Sequence, residues 1–299
     1  MTALEIRNVC KSYGKLETVC DVSLNIEAGE RVALLGHNGA GKTTLMRMIL
    51  GLTPVQSGSI RVLGSAPGSR LARSSIGFLP ESVAFHGALT GREQLRHFAR
   101  LKSLPVRAAD DFLDRVGMAG AADRKIRTYS KGMRQRIGLA QALLGAPKLA
   151  LLDEPTSGLD PISRHEFYDI VAELANSGTA VLLSSHALTE LEVRTDRIAI
   201  MSKGRLLAND DLASLRQSAR LPIRLKVTTT LADADRVAQE LGGARINGAS
   251  VTLTCHQDEK VAMLGQITAF GALIKDVDVT PGSLEELYRH YSAANPEDR

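Results

Sequence analysis

The stretch Gly36-His37-Asn38-Gly39-Ala40-Gly41-Lys42-Thr43-Thr44 decides how this chain of 299 residues is interpreted. It matches the pattern G-x-x-x-x-G-K-[ST], whose glycines let the backbone turn so that several N–H groups point at phosphate oxygens. A dense apolar run, Arg31–Leu35, precedes it, and a helical pattern over 42–52 follows it. A helix there adds the positive end of its dipole. The sequence therefore predicts a phosphate-binding loop rather than a structural glycine-rich turn.

Two side chains of this loop suit the chemistry of a nucleoside triphosphate. Lys42 would reach the β- and γ-phosphates, and the Thr43 hydroxyl would ligate Mg²⁺. The pattern thus predicts ATP and Mg²⁺ as the cofactors. The residues of the loop expected to contact the nucleotide are Gly36, Asn38, Gly39, Ala40, Gly41, Lys42, Thr43 and Thr44.

A pair of acids ends a second apolar run, Leu149-Ala150-Leu151-Leu152-Asp153-Glu154. A buried strand of this kind places the acids at the carboxyl edge of a sheet, where open α/β sheets bind ligands. Asp153 suits the Mg²⁺ shell, and Glu154 is placed to accept a proton from the attacking water. On its own such a pair more often begins a helix. Beside the phosphate loop it predicts a hydrolytic site in which Lys42 and Glu154 are catalytic.

Strand-like and helix-like segments alternate over most of the chain, which is typical of an α/β fold with a parallel, helix-covered sheet. From Leu4 to Ile26, apolar and polar side chains alternate as in half-buried antiparallel strands. After about Asp211 the pattern changes to short strands separated by helices, without a phosphate loop. We therefore predict an ATP-binding domain over residues 1–213 and a small α+β domain over 214–299. The second domain could regulate the first, extend a dimer interface or dock a partner.

Charge, cysteines and hydropathy restrict the class of protein. The formal net charge is only +4, and the basic residues are scattered, so we expect no nucleic-acid partner. Three cysteines without metal-type spacing, and no signal-like N-terminal stretch, favour the reducing cytoplasm. No run approaches the ~20 apolar residues of a membrane helix. If the chain drives transport, another subunit has to supply the pore.

Further short segments follow the phosphate loop in a fixed order. They are Ser130-Lys131-Gly132-Met133-Arg134-Gln135, Asp153-Glu154, Ser157-Gly158-Leu159-Asp160 and Ser184-Ser185-His186. Together with the loop, they resemble the motifs of ABC (ATP-binding cassette) ATPases over residues 4–210. The resemblance implies ATP hydrolysis, and a mixed sheet accompanied by an antiparallel β subdomain and a helical subdomain.

The resemblance also implies roles for individual residues. Tyr13 corresponds to the aromatic side chain that stacks on adenine, although a surface tyrosine on a strand is the plain alternative. Ser130 and Gly132 correspond to the family residues that contact and cover the γ-phosphate bound by the other subunit. Asp160 corresponds to the aspartate that communicates between the two sites, and His186 to a catalytic switch histidine that contacts the γ-phosphate.

The chain departs from the family pattern at two places. Glu81, in Phe78-Leu79-Pro80-Glu81, stands where the family usually has glutamine. A carboxylate there can still coordinate Mg²⁺ or orient water, so we include it among the expected metal ligands. Lys131 and Met133 alter the usual Ser-Gly-Gly-Gln core, which leaves the finer contacts of this segment open, whereas Ser130 and Gly132 are retained.

The family resemblance implies the partners and the location. We expect a homodimer that lies on the inner face of the cell membrane and powers an integral-membrane permease, which docks near residues 82–105. Four segments, 85–93, 96–102, 128–136 and 282–289, resemble more closely the ATPase of the transporter that serves copper-site maturation of nitrous oxide reductase. That function would add a periplasmic partner reached through the permease.

Other readings remain open at this point. One is the ATPase of a drug, lipid or polysaccharide exporter, which would share the same motifs. A second is a soluble, nucleic-acid-associated ABC ATPase, although neither a second phosphate loop nor heptad runs are present. A third is a non-catalytic ATP sensor, which is disfavoured because Lys42, Asp153, Glu154 and His186 are all intact.

Overall fold

The computed structural model describes residues 1–185, 191, 192 and 194–293. It divides into two compact units, Met1–Asp211 and Leu212–Arg299. Each unit has its own hydrophobic core, and each is described separately below. Within the described ranges, no helix is long and apolar enough to cross a membrane.

An antiparallel sheet of three strands opens the first unit. Its strand order is β2-β1-β4, and the strands are β1 (Thr2–Tyr13), β2 (Leu16–Glu27) and β4 (Ser57–Val62). Buried Leu4 and Ile6 of β1 face Ile26 and Leu24 of β2 across the ladder. The alternation of apolar and polar residues thus places one face of this sheet in the core.

The second sheet has the strand order β5-β6-β7-β3-β8-β9. Its strands are β3 (Arg31–Leu35), β5 (Ile76–Leu79), β6 (Leu149–Asp153), β7 (Ala180–Ser185), β8 (Arg197–Ser202) and β9 (Arg205–Asp210). Neighbouring strands are parallel except for β9, which runs antiparallel to β8. Every residue of β6 and β7 is buried, as expected for central strands covered on both faces.

The strand order determines which loops meet. β7 lies between β3 and β6, so the carboxyl ends of these three strands meet at one edge of the sheet. Ser184 of β7 pairs with Leu34 on one side and with Asp153 on the other. The phosphate loop after β3 and the acids after β6 therefore lie two strands apart, on the same edge.

Six described helices complete the first unit. They are α1 (Lys42–Ile49), α2 (Arg70–Ser75), α3 (Gly91–Leu101), α4 (Arg107–Arg115), α5 (Lys131–Leu143) and α6 (Pro161–Asn176). The N-terminus of α3 carries a capping box between Thr90 and Glu93. The α/β class and the ABC-type architecture predicted from the sequence are confirmed: a mixed sheet with an antiparallel β part and a helical part.

The second unit is built on an antiparallel sheet with the strand order β11-β12-β10-β13. Its elements are α7 (Leu212–Ser218), β10 (Ile223–Thr228), α8 (Ala234–Glu240), β11 (Ala244–Asn247), β12 (Ser250–Cys255), α9 (Lys260–Ala269), β13 (Asp276–Thr280) and α10 (Leu284–Ala293). From β10 to β13 the succession is β-α-β-β-α-β, which is the ferredoxin-like motif. Its core joins Leu225 and Val227 to Val251, Val237 and Ile267.

Candidate active site

The phosphate loop connects β3 to α1, and its glycines are required by close backbone contacts. Gly41 has a φ of 102°, and a Cβ atom there would lie 2.4 Å from the carbonyl oxygen of Thr18. A Cβ atom on Gly36 would lie 2.7 Å from the carbonyl oxygen of Met201. The loop therefore adopts a backbone conformation that side chains would prevent, with its amides at the start of α1.

Lys42, the first residue of α1, is buried at the base of this loop. Its side chain is 7% exposed, and its Nζ donates a hydrogen bond to the carbonyl oxygen of Gly36. The same Nζ lies 3.9 Å from Oε1 of Glu154. A buried ammonium group needs compensating partners, and this one has a carbonyl and a carboxylate. The lysine side chain is thus held between the first residue of the phosphate loop and Glu154.

The two acids lie across the sheet edge from the loop. Asp153 is the last residue of β6, and Asp153 and Glu154 are 6% and 8% exposed. The Thr43 hydroxyl lies 3.4 Å from Oδ2 of Asp153. A hydroxyl and a carboxylate this close offer the oxygen ligands that Mg²⁺ prefers. The side chains present therefore fit the magnesium ion that the sequence predicts.

Ser184 is a site residue that the sequence analysis used only as part of a family motif. Its hydroxyl is completely buried, donates to Oδ1 of Asp153 at 2.6 Å and accepts from the Glu154 amide at 3.0 Å. One serine therefore orients the carboxylate of Asp153 and fixes the backbone of Glu154. The available signal was the pair of serines that ends the otherwise apolar run of β7, directly beside the strand that carries Asp153.

Glu154 has a φ of 46°, in the left-handed region that non-glycine residues seldom adopt. Strain of this kind costs of order 1–3 kcal/mol and clusters at functional sites. The conformation turns the chain sharply at the end of β6. The Glu154 carboxylate consequently faces Lys42 instead of continuing along the strand.

A cavity of about 420 Å³ joins these groups. Most of the residues predicted for the site line it, namely Asn38, Gly39, Ala40, Gly41, Lys42, Thr43, Thr44, Glu81, Asp153 and Glu154. Leu16, Thr18 and His37 also line it, and the sequence analysis did not single them out. The exposed Glu81 therefore shares a cavity with Thr43 and Asp153, as its place among the expected Mg²⁺ ligands requires.

Tyr13 lies at the end of β1 and is 48% exposed. The Lys11 ammonium group lies 5.3 Å from the centre of its ring. Tyr13 pairs with Leu16 across the β1–β2 hairpin, and it is Leu16 that lines the cavity. The structure thus places Tyr13 opposite a cavity residue, with about half of its surface exposed.

Ser130 and Gly132 lie at the start of α5, outside the set of residues that line the 420 Å³ cavity. The Ser130 hydroxyl accepts a hydrogen bond from the Met133 amide at 3.2 Å, so it caps its own helix. Ser130 is exposed. Among the residues that the structure describes, the start of α5 does not contribute to the cavity that contains the phosphate loop.

Asp160 caps helix α6. The amide of Ser163 donates to Oδ1 at 3.0 Å and the hydroxyl of Ser163 donates to Oδ2 at 2.5 Å. These bonds to Ser163 lower the pKa of the Asp160 carboxyl. The cap accounts for the described bonds of this carboxylate. His186, the predicted switch histidine, lies outside the described residues.

Comparison with known proteins agrees with this geometry. Residues 19–157 match the ABC transporter family. The linearmycin resistance ATP-binding protein LnrL of Bacillus subtilis (strain 168) is 32% identical over 95% of this chain and 96% of its own. The daunorubicin/doxorubicin resistance ATP-binding protein DrrA of Streptomyces peucetius is 35% identical over 96% of this chain and 85% of its own.

A solved structure of an ATP-binding subunit of an ABC transporter is also similar. It has 30% identity and a TM-score of 0.68 over 72% of this chain and 92% of its own. The chain belongs to the ABC transporter ATP-binding family. It is the ATP-binding subunit of an ABC transporter, and its reaction is the hydrolysis of ATP.

Proposed function

We propose that two copies of this chain close around two ATP molecules, and that closure and hydrolysis drive an integral-membrane permease from the cytoplasmic face of the membrane. One observation carries the proposal. The cavity holds the phosphate loop and both acids, whereas Ser130 is exposed at the start of α5 and does not line that cavity. A helix start that presents amides and a serine suits the phosphate of another copy.

Within each site, we assign a role to each residue. Lys42 and the loop amides stabilise the negative charge that develops on the transferred phosphoryl group. Thr43, Asp153 and Glu81 would hold Mg²⁺, and the ion would neutralise negative charge on the triphosphate. Ser184 keeps the Asp153 carboxylate oriented.

Glu154 takes the proton of the attacking water. The sharp turn after β6 directs its carboxylate towards Lys42. Ser130 and Gly132 of the second copy cover the γ-phosphate, and His186 contacts it. Tyr13 stacks on adenine at the open side of the cavity. Asp160, the N-cap of α6, communicates between the two sites.

The dimer is testable with a variant that keeps the helix cap. Ser130→Asp retains a side chain that caps α5, but it adds a negative charge opposite the triphosphate. We expect Glu154→Gln protein to dimerise with saturating ATP in sedimentation velocity, and Ser130→Asp to weaken that dimer about tenfold or more, because like charges repel at close range. Ser69, which caps α2 in the same way, gives the matched control Ser69→Asp.

Two results would remove the proposal. One is a Glu154→Gln protein that stays monomeric at saturating ATP. The other is an ATP-dependent dimer whose dissociation constant is the same for Ser130→Asp and Ser69→Asp.

For the cargo, we propose export of a drug. The support is that LnrL and DrrA, which are named for resistance to linearmycin and to daunorubicin and doxorubicin, match along 95% and 96% of this chain. Their similarity thus includes the second unit, whereas another relative aligns over 224 residues, 74% of this chain. The permease contact is expected near residues 82–105.

A second candidate is the NosF role, in which the ATPase serves copper-site maturation of nitrous oxide reductase and a periplasmic partner receives the product. The segments 85–93, 96–102, 128–136 and 282–289 favour it, and one of them lies in the second unit. The two candidates make different demands on a deletion strain. Export predicts raised sensitivity to linearmycin or daunorubicin, whereas the NosF role predicts nitrous oxide reductase that lacks copper.

Whichever defect the deletion strain shows, the parent gene should restore normal function and the Lys42→Ala gene should not. Both candidate functions are driven by ATP and therefore need the phosphate loop. Normal drug tolerance in the deletion strain would reject the export role, and normal copper content of the reductase would reject the NosF role.

A further inference from the structure

The second unit contains a cavity of about 550 Å³ that no part of the proposed ATPase mechanism uses. It lies between the end of α7 and the turn that follows β12. Its charged or titratable lining residues are Arg216, Arg220, His256 and Asp258. Its volume falls in the range of small-molecule sites, and its two guanidinium groups outnumber its single carboxylate.

The Arg216 side chain is fixed in place. Its Nε donates to the carbonyl oxygen of Gly282 at 2.7 Å. Gly282 is itself tightly packed, since a Cβ atom there would lie 2.8 Å from Cβ of Leu221. The carbonyl that anchors the guanidinium therefore has little room to shift, so Arg216 is ordered before any ligand arrives.

Arg220 occupies a position where glycine would be less strained. It follows α7 with a φ of 48°, and its amide donates to the carbonyl oxygen of Gln217 at 3.0 Å. Helices commonly end in this left-handed conformation, but with glycine or asparagine in the position. Its side chain makes no hydrogen bond or ion pair with any residue that the structure describes. The chain thus bears a conformational cost and keeps an unneutralised guanidinium at the cavity.

We propose that this cavity binds a phosphate group of a small ligand through Arg216 and Arg220. The planar guanidinium presents paired N–H donors that match phosphate oxygens, and it remains charged at every physiological pH. His256, in the turn after β12, also lines the cavity. Asp258 is a lining residue as well, and its negative charge disfavours a highly charged polyphosphate. The site is independent of the ATP cavity, because all its residues belong to the second unit.

The experiment needs a residue-specific readout, because the phosphate loop also binds phosphate. Full-length protein saturated with Mg²⁺ and ADP is titrated with inorganic phosphate at constant ionic strength, while the backbone amides of 217–221 and 256–258 are followed by NMR. We expect saturable shifts at both segments. Absence of saturable shifts there overturns the proposal.

Arg220→Gly gives a signature that a purely structural arginine would not. We expect it to weaken phosphate binding at these amides about tenfold, because one of two guanidinium groups is lost, and at the same time to raise the melting temperature, because glycine relieves the left-handed strain. Lys203→Gly is the matched control: Lys203 is also a cation with positive φ, 45°, but it lies in the first unit. It should leave the titration unchanged. An Arg220→Gly protein that titrates like the parent contradicts the site.

Two sources could supply the phosphate group, and two further probes separate them. Glycerol 3-phosphate tests a soluble phosphate monoester in the same NMR titration. Flotation with vesicles of phosphatidic acid and phosphatidylcholine, against phosphatidylcholine alone, tests a lipid headgroup. Arg220-dependent binding of glycerol 3-phosphate indicates a soluble ligand. Arg220-dependent flotation with phosphatidic acid vesicles indicates a lipid. Loss of Arg220 dependence in both assays overturns the proposal while leaving the ATPase function intact.

Discussion

The Ser184 hydroxyl lies 2.6 Å from Oδ1 of Asp153, and both side chains are buried at the carboxyl edge of the central sheet. The two residues come from neighbouring parallel strands and face each other in the ladder. A buried carboxylate requires hydrogen-bond donors, and this serine provides one in a fixed direction. It also accepts from the backbone amide of Glu154, so a single hydroxyl fixes the carboxylate of the proposed metal ligand and the backbone of the proposed general base.

We expect Ser184→Ala to reduce both stability and turnover. The variant leaves an acceptor of Asp153 and the Glu154 amide without this partner, which costs about 1–3 kcal/mol for each buried unsatisfied group. Turnover should fall roughly tenfold, because Asp153 would no longer be held in the orientation that the reaction requires. Urea unfolding and steady-state ATPase assays measure the two effects. Ser184→Thr keeps the hydroxyl and should recover part of the activity. Wild-type stability and turnover of Ser184→Ala would show that the hydrogen bond has no role.

We expect Glu154→Gln to lower ATP turnover by roughly 10²–10⁴, the usual contribution of a general base. Binding of ATP should persist, because Lys42 and the loop amides are unchanged. Single-turnover hydrolysis and equilibrium binding of a fluorescent ATP analogue distinguish the two steps. Glu173→Gln, which removes a surface carboxylate paired with Arg115, is the control and should hydrolyse ATP normally. Equal turnover of the two variants would exclude Glu154 as the base.

Gly41→Ala and Gly14→Ala separate steric clash from backbone strain. Both glycines have positive φ, 102° and 60°, but only the Cβ atom on Gly41 meets backbone, at 2.4 Å from Thr18 O. Gly14→Ala should cost about 1 kcal/mol through its left-handed conformation alone. Gly41→Ala should cost at least about 1–3 kcal/mol more, because packed backbone must move, and it should abolish nucleotide binding. Similar losses in denaturant unfolding for the two variants would contradict the close approach at Gly41.

The Asp160 cap predicts a pH dependence of stability. The bonds from Ser163 lower the folded-state pKa of Asp160, so this group stabilises the fold above its unfolded pKa, and that stabilisation is lost as pH falls through the folded value. Asp160→Asn keeps a good helix cap but cannot titrate. Melting temperatures measured from pH 6 down to about 2 should therefore decline less steeply for Asp160→Asn than for the parent protein. Parallel declines would indicate that the cap does not depend on the charge.

Several features followed from short stretches of sequence. The phosphate loop 36–44 was predictable because glycine spacing, a preceding apolar strand and a following helix all act within a few residues. The family resemblance predicts that Asp160 communicates between the two nucleotide sites, and the structure adds that Asp160 caps helix α6. Three strands were missed for a physical reason: β11 is exposed along its whole length, β9 has no fully buried residue, and β4 buries only Ile60 and Val62, so none shows a clear apolar alternation.

The amino-acid sequence by itself determined the chemical groups of this protein: the amides and lysine of the phosphate loop, the acids that end β6, and the helix caps. Each depends on backbone conformations set by neighbouring residues. Only the tertiary structure decided that Ser184 orients Asp153 across 31 positions of sequence, and that Glu81 enters the same cavity. Those relationships depend on the order in which distant strands pair, and strand order is settled by packing of the whole sheet rather than by any local pattern.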